Sequence, residues 1–243
     1  RGEVLAVGGG PCTGAPALAA QAALRAGADL VRVACPRPVA AQVQGYSESL
    51  IVRPFDGDRL EPQHLDRIAD LAARQDTVVV GPGLGAAEPT LAAVRGLLDA
   101  VDDDDALQVV PDAETDATLV CTPHQGELAG MGGPRREDWR DRRDAVASFA
   151  ADLGATLLVK GRYDIVSNGE QTRVSRTGNP GMTVGGTGDV LAGVTGALAA
   201  RLAPLDAAAV GAYATGRAGD LAAAGEALLA TDLLGTLPEA LRR

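Results

Sequence analysis

The chain has 243 residues, 46% of them apolar, which suits one large α/β domain with a sizeable core. Its formal net charge is −10 and its pI about 4.7, which excludes a protein that works by neutralising nucleic-acid phosphates. No stretch reaches the roughly 20 apolar residues of a membrane helix, and no basic, apolar and cleavage-site sequence marks a leader.

In chain order, Val4 to Val7 reads as a buried strand that ends in the turn Gly8-Gly9-Gly10. Thr13 then precedes an alanine-rich helix from Ala15 to Ala26, with Gly27 near its C-cap. Leu30 to Ala34 is a second strand, and Val78 to Val80 a third that runs into Gly81-Pro82-Gly83-Leu84-Gly85. Thr90 to Leu98 returns to helix, and Asp102–Asp105 is an acidic run of low complexity. Leu119 to Thr122 and Thr156 to Val159 are further short strands. Between them lies an arginine-rich helix around Trp139, with Arg135, Arg136, Arg140, Arg142 and Arg143 read as a solvated face. Gly185 to Asp189 opens a helix from Val190 to Leu202, followed by helices near 207–221 and 229–241.

Strands alternating with helices predict a mostly parallel sheet covered on both faces. Ligands on such sheets sit beyond the C-terminal strand ends. Loops 8–15, 81–85, 122–127 and 160–164 fall there. The first residue is Arg1, so the natural start is expected further upstream, with room for another domain there.

Two compositional features bear on setting. Cys12, Cys35 and Cys121 are odd in number and widely spaced, which indicates neither a disulfide framework nor a zinc site and fits a reducing cytosol. Lys160 is the only lysine; every other cation is arginine. An acidic, lysine-poor surface suits a salt-rich cytoplasm, and a GC-rich genome produces the same bias.

The segment Gly185-Gly186-Thr187-Gly188-Asp189 carries the strongest chemical signal. Glycines let backbone N–H groups point outward, and the helix N-terminus adds partial positive charge. The result is an anion hole. A carboxylate beside it suits proton acceptance from an attacking hydroxyl, while Asp189 read alone serves equally as a helix cap.

Gly185–Asp189 with Val190-Leu191-Ala192-Gly193 resembles the anion-hole signature of the ribokinase superfamily. Thr177 to Met182, Thr122-Pro123-His124-Gln125-Gly126-Glu127, Val159-Lys160-Gly161, Val80 to Gly85, and Gly8 to Gly10 with Thr13-Gly14-Ala15 narrow the match. Together, in this order, they resemble the ADP-dependent NAD(P)H-hydrate dehydratase family. The resemblance implies a ribokinase-like three-layer α/β/α sandwich over 1–243 as a single dehydratase domain, with room for an upstream NAD(P)H-hydrate epimerase domain. It implies repair of (S)-hydrated NADH or NADPH with ADP as phosphate donor and Mg2+. It also implies a cytoplasmic homo-oligomer, tetramers being common among relatives.

By the same resemblance, Asp189 would bind the substrate hydroxyl and take its proton. Gly185, Gly186, Thr187 and Gly188 would form the anion hole, with Gly188 also at the nucleotide. Lys160, Gly161, Arg162, Tyr163 and Asp164 match the nucleotide-binding stretch. Ala15, Gly83 and His124 match positions on the hydrate side. Glu127 reads either as a group near a magnesium-bound phosphate or as a helix cap. Two departures stand out. Asp103-Asp104-Asp105-Ala106-Leu107 looks like the end of a family strand whose preceding loop is missing, and Cys12 replaces a common tyrosine. A small-molecule kinase of the superfamily is the competing reading. A non-catalytic nucleotide binder is disfavoured by the intact Asp189 and glycine run. A dinucleotide oxidoreductase is disfavoured because Gly8–Gly10 lacks G-x-G-x-x-G spacing.

Overall fold

The computed structural model describes residues 1–100 and 118–242. The acidic run and the Asp103–Leu107 motif lie outside them. Eight strands and nine α-helices are described: β1 Glu3–Val7, α1 Gly14–Arg25, β2 Leu30–Pro36, α2 Arg37–Gly45, β3 Ile51–Phe55, α3 Leu65–Ala72, β4 Thr77–Val80 and α4 Glu88–Ala100 form the first half. β5 Val120–Cys121, α5 Gln125–Gly130, α6 Trp139–Leu153, β6 Thr156–Val159, β7 Asp164–Ser167, β8 Thr172–Ser175, α7 Thr187–Ala199, α8 Pro204–Ala222 and α9 Ala230–Ala240 form the second.

The first four strands pair in the order β3-β2-β1-β4, all parallel. Their apolar runs are continuous because both faces are covered. On β1, Val4 and Ala6 pack with α1, α7 and α9, whereas Leu5 and Val7 pack with Ile68 of α3 and Ala93 of α4. Pro54 lacks an N–H and sits on β3, an edge strand, where that loss does least harm.

The second four strands pair in the order β5-β6-β7-β8. This half holds the antiparallel part of a mostly parallel arrangement. β5 and β6 are parallel, but β7 and β8 return antiparallel. The turn from Val159 to Asp164 is too short for a crossover, which takes a dozen residues or more, so a hairpin-like return is the only connection available. Among the described residues no ladder joins β4 to β5. One apolar layer nevertheless spans both sheets, with Val78 and Val80 in the same cluster as Leu157 and Val159. The opposite face of β5, β6 and β7 packs Val120, Leu158 and Val166 against Leu205, Ala208 and Ala212 of α8. The architecture is the expected three-layer α/β/α sandwich.

α7 is the element that positions the chemistry. Its buried face runs from Val190 to Leu198. A Cβ on Gly193 would strike the Ala19 carbonyl of α1, so only glycine lets the two helix backbones meet. That contact fixes where the helix N-terminus opens.

Candidate active site

A cleft of about 1600 Å³ opens beyond the C-terminal ends of β4, β5 and β6. Four separated segments meet there: Gly81–Gly85, Thr122–Glu127, Lys160–Asp164 and Gly185–Asp189. The loop from Arg176 to Met182 forms a further wall.

The α7 N-terminus faces this cleft. Gly186 has φ +95°, the left-handed region, and a Cβ there would meet Leu18 and Ala230. The first intrahelical bond runs from the Val190 N–H to the Gly186 carbonyl at 3.1 Å. The N–H groups of Thr187, Gly188 and Asp189 therefore have no acceptor within the helix, and the helix dipole adds to their positive character. A Cβ on Gly185 would meet nothing within 4 Å, so this end of the helix is open to a ligand. The Thr187 hydroxyl is already used: it donates to the carbonyls of Met182, at 2.9 Å, and Val184, at 3.1 Å. Only the backbone of Thr187 is left for an anion.

Lys160 stands opposite. A Cβ on Gly188 would lie 3.2 Å from its Nζ, and Nζ is 3.5 Å from Glu127 Oε2. The register that brings it there is an isolated parallel bridge between His124 and Lys160, with the Lys160 N–H donating to the Pro123 carbonyl at 2.9 Å. Asp189 is half-buried in the first turn of α7. Burial pushes its carboxyl above the ordinary carboxylate range; Lys160 opposes that shift and Glu127 adds to it.

The structure fixes how several of these residues are used, and for Glu127 it supplies the helix cap that was one of its two expected roles. His124 is the N-cap of α5. Its Nδ1 accepts the Glu127 N–H at 2.9 Å, and Glu127 Oε2 accepts the His124 N–H at 2.6 Å. This reciprocal capping box puts the neutral ring's proton on Nε2. Glu127 is thus both a cap and the carboxylate nearest Lys160. Asp164 is not a free ligand group: its Oδ1 accepts the Gly161 N–H at 2.9 Å and closes the turn. Ala15 is not among the residues lining the cleft; it backs Gly83, where a Cβ would lie 3.2 Å from the Ala15 Cβ and against the Cys12 carbonyl. With φ +75° as well, position 83 is restricted to glycine.

Arg142 corrects the reading of α6 as a solvated face. It is 5% exposed and shares a buried stripe with Val146 and Ala150, at spacings of four. That periodicity was the available signal, and the surrounding arginines masked it. Arg176 also went unremarked. Its guanidinium carbon lies 5.8 Å from the Trp139 ring and 5.9 Å from Tyr163, two rings that are 5.3 Å apart. Arg162 lies over the Tyr163 ring at 5.6 Å. Three distant segments build this cluster, so no local pattern announces it.

Burial holds the Asp164 carboxyl up at about 6, with Gly161, Lys160 and Arg142 all pulling it down. A folded-state pKa above the unfolded value means the stabilising contribution is full below about pH 4 and is lost as pH rises through about 6. Thermal unfolding at constant ionic strength should show this loss, and Asp164→Asn should flatten it. Parallel profiles for the two proteins would show that Asp164 is not the titrating group.

Comparison with known proteins covers the whole stretch of chain that holds these segments. The sequence profile of the NAD(P)H-hydrate dehydratase family matches residues 4–239. A bifunctional NAD(P)H-hydrate repair enzyme of Pyrobaculum aerophilum is 42% identical over 255 residues, covering 100% of this chain and 51% of its own length. The chain thus spans about half the length of such curated relatives. An ADP-dependent (S)-NAD(P)H-hydrate dehydratase of Natrialba magadii is 35% identical, covering 100% of this chain and 93% of the relative. Among solved structures, the ADP/ATP-dependent NAD(P)H-hydrate dehydratase of Bacillus subtilis, co-crystallised with ATP and Mg2+ and soaked with CoA, superposes with a TM-score of 0.84 at 24% identity, covering 98% of this chain and 90% of the other. That likeness speaks for the ribokinase-like fold. The family match over almost the whole length, with relatives at this identity, places the chain: it belongs to the NAD(P)H-hydrate dehydratase family.

Proposed function

We propose that the chain dehydrates (S)-NADH hydrate and (S)-NADPH hydrate back to the dinucleotides, with ADP as phosphate donor. The observation that carries this reading is that Asp189 and Lys160 come together at the open α7 N-terminus. Hydroxide is a poor leaving group, since the pKa of its parent water is about 15.7. Phosphorylation of the ring hydroxyl converts it into a phosphate ester that leaves readily.

In this reading the hydroxyl oxygen attacks the terminal phosphorus of ADP and its proton passes to Asp189. AMP departs; the C–O bond of the phosphate ester then breaks to release inorganic phosphate, and the adjacent ring carbon gives up a proton to solvent, which restores the ring double bond. The raised pKa of Asp189 suits the proton transfer, because a more basic carboxylate accepts more readily. The free N–H groups of Gly188 and its neighbours, with the Lys160 ammonium, stabilise charge on the transferring phosphoryl group. Gly83 and His124 line the hydrate side, Ala15 supports that wall from behind, and Lys160 to Asp164 form the nucleotide side. Magnesium keeps much of its water and takes one or two carboxylates plus phosphate oxygens. Glu127 and Asp189 are carboxylates at the cleft that suit it.

The chain corresponds to the dehydratase half of the longer relatives and works as a cytoplasmic homo-oligomer; light scattering of the purified protein tests the assembly. The test of the reaction is restoration of NADH absorbance from its hydrate with Mg2+ and ADP, with ATP and no-nucleotide controls. Recovery with ADP alone supports the reading. A stable phosphorylated product from another alcohol, with no recovery of NADH, would replace it with a small-molecule kinase.

A further inference from the structure

Arg142 is a charged side chain in the wrong place for a structural helix residue. It is 5% exposed, and among the described residues no carboxylate lies within ion-pair distance of it. Its Nε is buried with no hydrogen-bond partner. Burying a cation without a partner is costly, and methionine would fill the same stripe beside Val146 and Ala150 at no such cost. The guanidinium lies beneath the turn after β6: a Cβ on Gly161 would sit 3.4 Å from Nη2. Across that turn, the Asp164 carboxylate holds the Gly161 N–H at 2.9 Å.

We propose that Arg142 is a positioning residue, which acts through Asp164 to hold the Lys160–Asp164 turn in the shape it presents to the cleft. After the Gly161 N–H and the Lys160 ammonium, the guanidinium is a further group that favours ionised Asp164, and the ionised carboxylate is the stronger acceptor for the Gly161 N–H. The charged groups acting on Asp164 are Arg142 from α6 and Lys160 from the end of β6. β8 offers Ser175 in register opposite, and α8 packs on β7 with Leu205, Ala208 and Ala212, so neither adds a charge there. Losing Arg142 therefore lets Asp164 protonate at a higher pH, weakens the hold on Gly161, and loosens the turn that carries Lys160. The consequence for nucleotide affinity rests on the functional reading above; the consequence for the turn does not.

The experiment follows the Gly161 amide resonance of the full, ligand-free chain against pH, alongside calorimetric binding of ADP. In the wild type the amide should show a step with its midpoint at about 6. Arg142→Met should move that midpoint up by at most about one pH unit, and by less than Lys160→Met does, because Lys160 acts on Asp164 more strongly. Arg142→Lys should restore it, and Asp164→Asn should remove the step. In Arg142→Met the Kd for ADP at neutral pH should rise by up to about twofold, as the ionised fraction of Asp164 falls, with turnover at saturating ADP little changed. If Arg142→Met does not fold, Arg142→Gln makes the same comparison. A wild type with no step, or a midpoint that does not move when the guanidinium is removed, overturns the proposal and leaves Arg142 as packing. If the amide behaves as expected but the wild type does not bind ADP, the functional reading fails and the role of Arg142 in the turn stands.

Discussion

Asp189→Asn should reduce turnover by about 10²–10⁴-fold, the range a positioned proton acceptor supplies. The amide keeps the size and shape of the carboxylate but cannot take the proton. Asp189 also sits in the first turn of α7, where a negative charge stabilises a helix by about 0.3–1 kcal/mol. Burial of the same charge works the other way, as the raised pKa shows. The two effects oppose, so unfolding should change little and ADP should still bind. In the wild type the acid limb of the rate profile should lie above the ordinary carboxylate range, since Asp189 must be ionised to act. Near-normal turnover in the variant would make Asp189 a helix-terminal residue and remove it from the chemistry.

Lys160→Met should lower turnover by about 10²–10³-fold, comparable to losing one preorganised donor to a developing negative charge. The ammonium approaches Gly188 at the α7 N-terminus and lies 3.5 Å from Glu127. Its removal takes away the one group, among the described residues, that pulls the Asp189 pKa down, so the acid limb should also move to higher pH. Lys160→Arg is the sharper variant. A planar fork cannot replace a compact point charge in a space bounded by Gly188 and Glu127, so arginine should rescue little of the loss. Full activity in Lys160→Arg would mean that this chain's single lysine is an accident of composition.

The legible parts of this protein share one property: their physics is local. Continuous apolar runs such as Val4–Val7 and Thr156–Val159 are strands buried on both faces, and their alternation with helices specifies the layers. The glycine run at the start of α7 leaves free N–H groups by local geometry alone. The antiparallel return of β7 and β8 was less legible, since Asp164–Ser167 and Thr172–Ser175 are short and mixed in polarity. β3 was missed for a similar reason: Arg53 and Pro54 interrupt its apolar pattern.

The amino-acid sequence by itself determined the sandwich, the segments that line the cleft and the presence of a carboxylate in the first turn of α7, because periodicity and turn chemistry act within a few residues. Only the tertiary structure decided how each side chain is used. It turned His124 and Glu127 toward one another as a capping box, bound Asp164 to Gly161, and committed the Thr187 hydroxyl to two carbonyls. It also buried Arg142 under a turn that comes nearly twenty residues later in the chain. Burial and partnership are properties of what surrounds an atom, and for these residues the surroundings come from other elements or from a turn geometry that the fold imposes.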